Sequence, residues 1–280
     1  MNKLFLYIIL FVFSCDTGNL KVITDLPKTL NEVSGTETIA HSDLIWMLND
    51  GGNPNKIYGL NTNGKIKKEI FINAKNNDWE DLTTDEFGNL FIGDFGNNQN
   101  DRKDLSILRI RSKDLLESKK VEIERISFFF PDQKKFPPKK KKMHFDCEAF
   151  FHFNDSLYLF TKSREEHHYG KTNLYKIPAV KGNHEAQFIA SFKTCNELPC
   201  WITSVDISNN GKQIALLTLD AVWLLSDYTK DNFFNGKAIQ ISFEYESQKE
   251  GVCFKNDSTL YITDERSHGK GRNLYELKIK

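Results

Sequence analysis

The sequence has little of what marks a nucleic-acid-binding or membrane-spanning chain. Its 280 residues carry 38 basic and 38 acidic side chains, so the formal net charge is zero and no overall field attracts a polyanion. Its apolar run from Leu4 to Phe13 is too short to cross a bilayer stably. The stretch PPKKKKM at 137–143 is a local exception, which we interpret as a solvated loop. We therefore expect no nucleic-acid partner.

Short catalytic and metal-binding motifs are also missing. No GxSxG, HExxH, Walker or GxGxxG pattern occurs, which leaves nucleophile-elbow hydrolases, zincins and nucleotide-dependent enzymes without local support. The five cysteines show no CxxC or Cys/His spacing of a structural zinc site. Cys147 and Cys253 lie among apolar residues and are predicted to be buried thiols. Cys195 and Cys200 are close enough for a local disulfide, which the sequence alone leaves open.

The N-terminus has the pattern of an export signal. MNKLFLYIILFVFSC has an early lysine, an apolar core and a final Val-Phe-Ser-Cys, which resembles the lipobox of bacterial lipoproteins. We predict a signal peptide over 1–14, lipidation of Cys15 and a short tether over 15–19. The folded body would then be exported and lipid-anchored to a membrane of the cell envelope. A plain signal peptide or a short anchor helix is the alternative.

Short apolar runs bounded by Gly, Asn and Asp dominate the rest of the chain. Runs such as NLFIGD, SLYLFTK and TLYITD, together with a 12% aromatic content, are typical of antiparallel strands. Only SKDLLESKK at 112–120 indicates a helical turn or two. The predicted fold class is therefore all-β.

Internal repeats refine this prediction to a β-propeller. WEDLTTDEFGNLFIGD aligns with three further segments, CEAFFHFNDSLYLFTK, ITSVDISNNGKQIALLT and KEGVCFKNDSTLYITD, and more loosely with VSGTETIAHSDLIWMLND. From Glu80 the opening positions recur at Glu148, Thr203 and Glu250, at intervals of 68, 55 and 47 residues that fit a four-stranded blade. We predict a single propeller domain over 20–280 with five four-stranded blades, six being the alternative. A jelly roll or sandwich would not explain the period.

The last repeat unit predicts how the ring closes. Only 30 residues follow Glu250, enough for three strands. The segment NLKVITDLP at 19–27 belongs to no other unit. We predict that it adds the fourth strand to the last blade and so removes an exposed sheet edge.

The repeats also place acidic residues at one end of the predicted channel. A second column ends the second strand of each unit, at Asp50, Asp94, Lys162, Thr218 and Asp264. Antiparallel neighbours bring the start of one strand and the end of the next to the same edge, so the opening column and this second column should surround one mouth. Like charges need a neutralising partner, and Ca²⁺ is the natural cation for many carboxylate oxygens. Seven carboxylates are predicted metal ligands: Asp50, Glu80, Asp81, Asp94, Glu148, Glu250 and Asp264. Alternatively, each acid caps a turn or accepts backbone amides within its own blade.

Basic side chains near the same mouth are candidates for ligand binding. Lys162 and Arg164 follow a strand of the third unit, and Arg266 and His268 hold the equivalent loop of the last unit. An anionic ligand would place its charge on Lys162, Arg164, Arg266 and Arg272.

Several segments together resemble a family of uncharacterised bacterial exported β-propellers. The resemblance rests on DWEDLTTDEFGNLFIGDFGNNQNDR, DCEAF, ITSVDISNNGKQIALLT and EGVCF, and spans roughly 31–277. That family is distantly similar to the SdiA-regulated and phytase-like propellers. The resemblance implies a propeller and export; its phytase-like side implies calcium, phosphate esters and six blades.

Three functional hypotheses follow. The leading one is an exported, lipid-anchored and monomeric module that binds a small ligand or a cell-envelope protein, with Ca²⁺ at the channel mouth. The second is a calcium-dependent hydrolase of phosphate esters or lactones at the same face. The third is a purely structural scaffold.

Overall fold

A computed structural model describes residues 17–40 and 42–279 as 22 strands in five sheets. Each sheet has four antiparallel strands, and two of the sheets gain a short fifth strand that pairs in parallel. The sheets form a ring, which confirms the predicted five-bladed β-propeller. The predicted signal peptide and Cys15 lie outside the described residues. Within the described ranges, no helix is long and apolar enough to span a membrane.

The strands occupy four positions from the centre of the ring to its rim. The innermost strands are β2 (Val33–Thr38), β6 (Trp79–Thr84), β11 (Asp146–Phe153), β16 (Ser204–Ile207) and β20 (Lys249–Asn256). The second strands are β3 (Ile45–Asn49), β7 (Leu90–Asp94), β12 (Ser156–Lys162), β17 (Gln213–Leu217) and β21 (Thr259–Asp264). The third strands are β4 (Lys56–Leu60), β8 (Ser106–Ile110), β13 (Lys171–Pro178), β18 (Ala221–Ser226) and β22 (Asn273–Lys278). The outermost strands are β5 (Ile66–Ile72), β10 (Glu124–Phe129), β15 (Gln187–Lys193), β19 (Lys237–Ser242) and β1 (Lys21–Asp25). Blades 1 to 5 are named in the order of their innermost strands.

The remaining elements are short. β9 (Lys120–Val121) pairs with β5, and β14 (Gly182–Glu185) pairs with β10. The helix α1 (Ser112–Glu117) is the helical turn that the sequence predicts. Three 3-10 turns cover Lys28–Leu30, Lys140–Lys142 and Leu198–Cys200.

Each interface between neighbouring blades holds its own apolar core. Five clusters of buried side chains fill the five interfaces, one of them between blades 1 and 2 around Trp46 and Trp79. Because a blade packs on a neighbour on each side, both faces of its middle strands are buried. This explains why the sequence shows continuous apolar runs where a half-exposed strand would alternate.

The N-terminal strand closes the ring as predicted. β1 pairs antiparallel with β22, from Lys21 opposite Glu276 to Asp25 opposite Asn273. Leu20, just before β1, is buried in the core between blades 4 and 5. Chain ends that are far apart in sequence are thus joined within blade 5.

Side chains tie the innermost strands to one another around the channel. Asp81 of blade 2 accepts the Phe150 amide of blade 3 at 3.4 Å, and Asp206 of blade 4 accepts the Phe254 amide of blade 5 at 2.7 Å. The hydroxyl of Ser204 accepts the Val252 amide at 3.2 Å. Because neighbouring innermost strands belong to different sheets, these polar side chains satisfy backbone donors that no ladder reaches.

Candidate functional site

Four of the five innermost strands carry an extra residue near their start. The pairing register shifts between Val33 and Thr36, Trp79 and Leu82, Cys147 and Ala149, and Lys249 and Gly251. Such a bulge bends a strand and redirects the side chains at the extra position. The bulged segments contain Ser34, Glu80, Glu148 and Glu250. The repeat therefore encodes a local irregularity as well as a sequence pattern.

The redirected side chains surround one cavity. Ser34, Glu80, Glu148 and Glu250 line it together with Thr203, which precedes the unbulged β16. The cavity has a volume of about 690 Å³ and lies where the innermost strands begin. The structure thus brings the first predicted column to one mouth of the channel.

Three carboxylates converge on one side of this cavity. Oxygen atoms of Asp50, Asp78 and Glu80 all lie within 4.8 Å of one another. Asp50 follows β3, and Asp78 lies just before β6, so the group joins blades 1 and 2. We call these three residues the acidic triad. Glu80 is only 6% exposed.

Two glycines let the backbone approach the acidic triad closely. A Cβ atom at Gly51 or Gly96 would collide with the carboxylate of Asp78, and one at Gly96 would also collide with Oε1 of Glu80. A side chain at either position would therefore have to displace these carboxylates.

Positive charge balances the acidic triad only in part, because burial raises the pKa of Asp78 although the nearby charge of Arg102 lowers it. Burial raises the pKa of Glu80 well above its usual value, and the charges of Glu148 and Asp50 raise it further. Burial also raises the pKa of Asp50 to about 7. The hydrogen bond from the Gly51 amide lowers this pKa, and the charge of Asp78 raises it. Among the described residues, no hydrogen bond or ion pair reaches the Glu80 carboxylate. A hard cation with oxygen ligands would supply the missing charge.

Basic residues on the wall that blade 3 forms are already paired. Lys162 Nζ lies 3.0 Å from Glu148 Oε2, and Arg164 contacts Glu148 Oε1 at 3.1 Å and Asp146 Oδ2 at 2.5 Å. Burial works to raise the pKa of Glu148, but the two cations outweigh it and the pKa falls below its usual value. Burial, with Glu148 adding to it, raises the pKa of Asp146 to about 8. Both cations of this wall are therefore already paired with carboxyl groups.

An aromatic side chain covers these two cations. The ring centroid of Trp201 lies 5.0 Å from Lys162 Nζ and 4.8 Å from the Arg164 guanidinium. A disulfide joins Cys195 and Cys200 in the loop that presents Trp201. Next to it, the Thr203 hydroxyl is buried and has no hydrogen-bond partner within the described part of the chain. The wall therefore offers an unused polar group beside an aromatic ring.

Two further carboxyl groups in the cavity have pKa values near neutrality. Burial raises the pKa of Glu250 to about 8, with Glu148 adding to it and Lys162 opposing it. Burial and the charge of Asp50 raise the pKa of Glu265 to about 7. Such groups can both take up and release a proton near pH 7.

Three of the seven predicted acids lie outside the cavity. Asp94 is buried against Arg102 at 3.0 Å and accepts the Asn77 amide at 3.0 Å. Asp264 accepts the Tyr275 hydroxyl at 2.7 Å and the Asn273 backbone amide at 2.8 Å.

The third is Asp81, which points into the channel. It accepts the Leu82 amide at 2.9 Å and the Ser204 hydroxyl at 3.1 Å. These contacts agree with the alternative prediction, in which an acid accepts backbone amides instead of binding a metal.

The predicted ligand-binding residues divide in the same way. Lys162, Arg164 and His268 line the cavity, and His268 is exposed there. Arg266 is exposed and does not line it. Asp78, Glu265 and Trp201 were missed by the sequence patterns. Asp78 had a visible signal, because it directly precedes the Trp-Glu-Asp segment.

Comparisons with known proteins support the fold. No protein-family model matches the chain, and no curated protein matches it. The gluconolactonase of Xanthomonas campestris has a similar structure, with a TM-score of 0.53 and 10% identity over 95% of this chain and 92% of that one. A putative gluconolactonase gives a TM-score of 0.51 and 9% identity over 93% and 92%. Virginiamycin B lyase from Staphylococcus aureus gives 0.41 and 15% over 91% and 69%.

At these identities the similarity shows the fold alone. Fold and cavity together define a five-bladed β-propeller with an acidic channel mouth. The propeller implied by the sequence resemblance is confirmed, and the exported family itself stays a prediction.

Proposed function

We propose that the protein is a binding module whose channel mouth takes a divalent cation and a small ligand. The observation that carries the proposal is the acidic triad, in which Asp50, Asp78 and Glu80 converge and, among the described residues, form no ion pair. Ca²⁺ suits this donor set, because it prefers several oxygen ligands and tolerates irregular geometry. Gly51 and Gly96 support the proposal, since their lack of a side chain keeps the carboxylates close together.

The small ligand would lie between the acidic triad and the wall that blade 3 forms. Its oxygen atoms could share the cation, while the Thr203 hydroxyl offers a hydrogen bond and Trp201 an apolar surface. Lys162 and Arg164 would contribute hydrogen-bond donors beside Glu148 and Asp146, with which they already pair. A ligand rich in oxygen atoms fits these donors and the cation. Export and lipid anchoring at Cys15 remain part of the proposal on sequence grounds.

Calcium is expected to stabilise the protein. At about 100 times its dissociation constant, a ligand adds roughly 2.7 kcal/mol to the free energy of unfolding, which raises Tm by about 5–10 °C in a domain of this size. Asp78→Asn should abolish the rise. Asp257→Asn is the matched control, because Asp257 is exposed and lies outside the cavity. Thermal unfolding with and without calcium is the measurement. No rise for the wild type at millimolar calcium would reject the cation site.

The same measurement has an expected pH dependence. Asp50 has a folded-state pKa of about 7, above its usual value, so its contribution to cation-free stability is lost as the pH rises through 7. Calcium requires the ionised carboxylate, so its affinity should increase in the same range, by roughly tenfold per pH unit below the pKa. Titrations at pH 6 and pH 8 would show this. An affinity independent of pH would exclude Asp50 as a ligand.

Hydrolysis is the second candidate function, and Glu250 is the observation that favours it. A carboxyl group with a pKa of about 8 in an open cavity is suited to general acid or base catalysis. If the hypothesis holds, the wild type should turn over a member of a lactone and phosphate-ester panel in the presence of calcium. Glu250→Gln should then lower kcat on the order of a hundredfold with calcium-induced stabilisation retained. A panel without turnover, at a calcium concentration that stabilises the protein, would leave the binding module alone.

A further inference from the structure

The loop between blades 2 and 3 concentrates positive charge on a protein whose net charge is zero. Six exposed lysines occur within nine residues, at positions 134, 135 and 139–142. In the described part of the chain, none of these six side chains takes part in an ion pair. We call residues 134–142 the lysine loop.

An aromatic side chain is exposed in the middle of the lysine loop. Phe136 is 39% exposed, and Lys103 Nζ lies 5.1 Å from its ring centroid. The base of the loop is fixed, because Gln133 is buried and donates to the Asn100 carbonyl at 2.7 Å. Exposed lysines around an exposed aromatic ring are typical of protein surfaces that bind at the boundary between the headgroups and the acyl chains of a membrane.

The lysine loop lies on the same side of the ring as the cavity. It joins the end of β10 to the start of β11, where Asp146 contacts Arg164. The Arg164 amide donates to the Met143 carbonyl, just after the loop, at 2.8 Å. Arg164 itself lines the cavity. The loop and the channel mouth are therefore neighbours.

The described chain begins on this side as well. The Asn19 amide donates to the Phe243 carbonyl at 2.9 Å, and the Asn19 side chain donates to the Ser242 carbonyl at 2.9 Å. Phe243 begins the segment whose residues 246–248 line the cavity. The predicted lipid-bearing Cys15 precedes the first described residue by only two positions. Lipid attachment and positive charge would consequently act on one face.

We propose that the cavity face docks on an anionic phospholipid membrane through the lysine loop. The six lysines would contact lipid phosphates, and Phe136 would enter the headgroup region. Near an anionic membrane each lysine strengthens binding by roughly fivefold, and a basic patch adds to a lipid anchor as a second signal. Docking would turn the channel mouth toward the lipid surface. This inference is independent of the proposed cation site.

The test compares the full-length chain on two kinds of vesicle. Partitioning is measured on phosphatidylcholine vesicles and on vesicles that also contain phosphatidylglycerol, and the ratio of the two cancels the contribution of the apolar N-terminus. The wild type should prefer the anionic vesicles, and the preference should weaken as salt is raised. The combined Lys140→Gln, Lys141→Gln and Lys142→Gln variant should lower the ratio on the order of a hundredfold.

A charge-matched control separates the lysine loop from net charge. The combined Lys65→Gln, Lys67→Gln and Lys119→Gln variant removes three exposed lysines elsewhere and should keep the preference. Phe136→Ala should weaken binding to both vesicle types severalfold. Equal ratios for the wild type and the loop variant would overturn the proposal. So would tighter binding of the wild type to soluble polyphosphate than to anionic vesicles at equal phosphate concentration, which would assign the loop to soluble polyanions.

Discussion

Asp81→Ala is expected to lower the free energy of unfolding by roughly 3–5 kcal/mol, because it leaves several buried donors without an acceptor. The Asp81 carboxyl is fully buried and receives the Leu82 amide, the Phe150 amide and the Ser204 hydroxyl. These partners lie in blades 2, 3 and 4. Since Ser204 also accepts the Val252 amide, the substitution reaches blade 5. Denaturant unfolding of the two proteins would measure the loss.

Two further variants make this prediction specific. Burial raises the pKa of Asp81 well above its usual value, although the Leu82 and Phe150 amides and the Ser204 hydroxyl lower it. Asp81→Asn keeps one acceptor oxygen in a side chain of the same size and should cost less than Asp81→Ala. Asp257→Ala removes an exposed acid and should change stability by less than about 0.5 kcal/mol. A cost of Asp81→Ala as small as that of the exposed control would show that Asp81 does not brace the ring.

Removal of the ring-closing strand is expected to have the largest effect on folding. Deletion of 17–25 from the full chain would remove Leu20 from its core and expose the edge of β22. The loss combines a buried leucine, worth about 2–5 kcal/mol, with the whole β1–β22 ladder. We expect the cooperative thermal transition to disappear and the protein to aggregate. Circular dichroism on heating and size-exclusion chromatography would show both outcomes.

Single substitutions in the same segment should lower the free energy of unfolding by smaller amounts than the deletion does. Leu20→Ala should retain the ring and lower stability by about 2–5 kcal/mol. Lys21→Ala removes only an exposed side chain from the same strand and should be nearly neutral. A deletion variant that unfolds cooperatively with the wild-type midpoint would mean that four-stranded closure of blade 5 is dispensable.

The architecture could be predicted because each of its determinants is local. Apolar runs and Gly, Asn or Asp turns mark the strands, and the repeat interval marks the blade. Closure of the ring by 19–27 could be predicted because the last unit has residues for only three strands and 19–27 belongs to no other unit. Such reasoning needs no knowledge of side-chain contacts.

The site could be predicted only in part, because similar positions acquire different partners. Asp50, Asp94 and Asp264 all end or follow a second strand, yet Arg102 and Tyr275 bind the last two. Only Asp50 is left facing other acids. The partners come from loops and third strands whose reach the pattern does not encode. An aligned column therefore predicts where a carboxylate lies in the ring, but it does not predict which side chains the carboxylate contacts.

Close approach of chain segments is a second reason. Asp78 joins the triad because Gly51 and Gly96 bring two turns against it. Glu265 and Trp201 enter from loops of blade 5 and from the connection before blade 4. In the aligned units Trp201 corresponds to Asp78 and Asp146, and Glu265 corresponds to Ser163. Because the residue types differ, alignment of the units could not reveal a shared role.

The ring-closing strand also has a mechanical consequence. With a lipid at Cys15, two peptide steps, which span at most about 7 Å, would separate the anchor from the first described residue. Tension between membrane and body would then pass first through Asn19 and Leu20, which contact blade 4 and the core between blades 4 and 5. The hydrogen bonds between β1 and β22 would share the load that passes beyond these contacts. The strand that completes the propeller would thus also help to keep the folded domain attached to its membrane anchor.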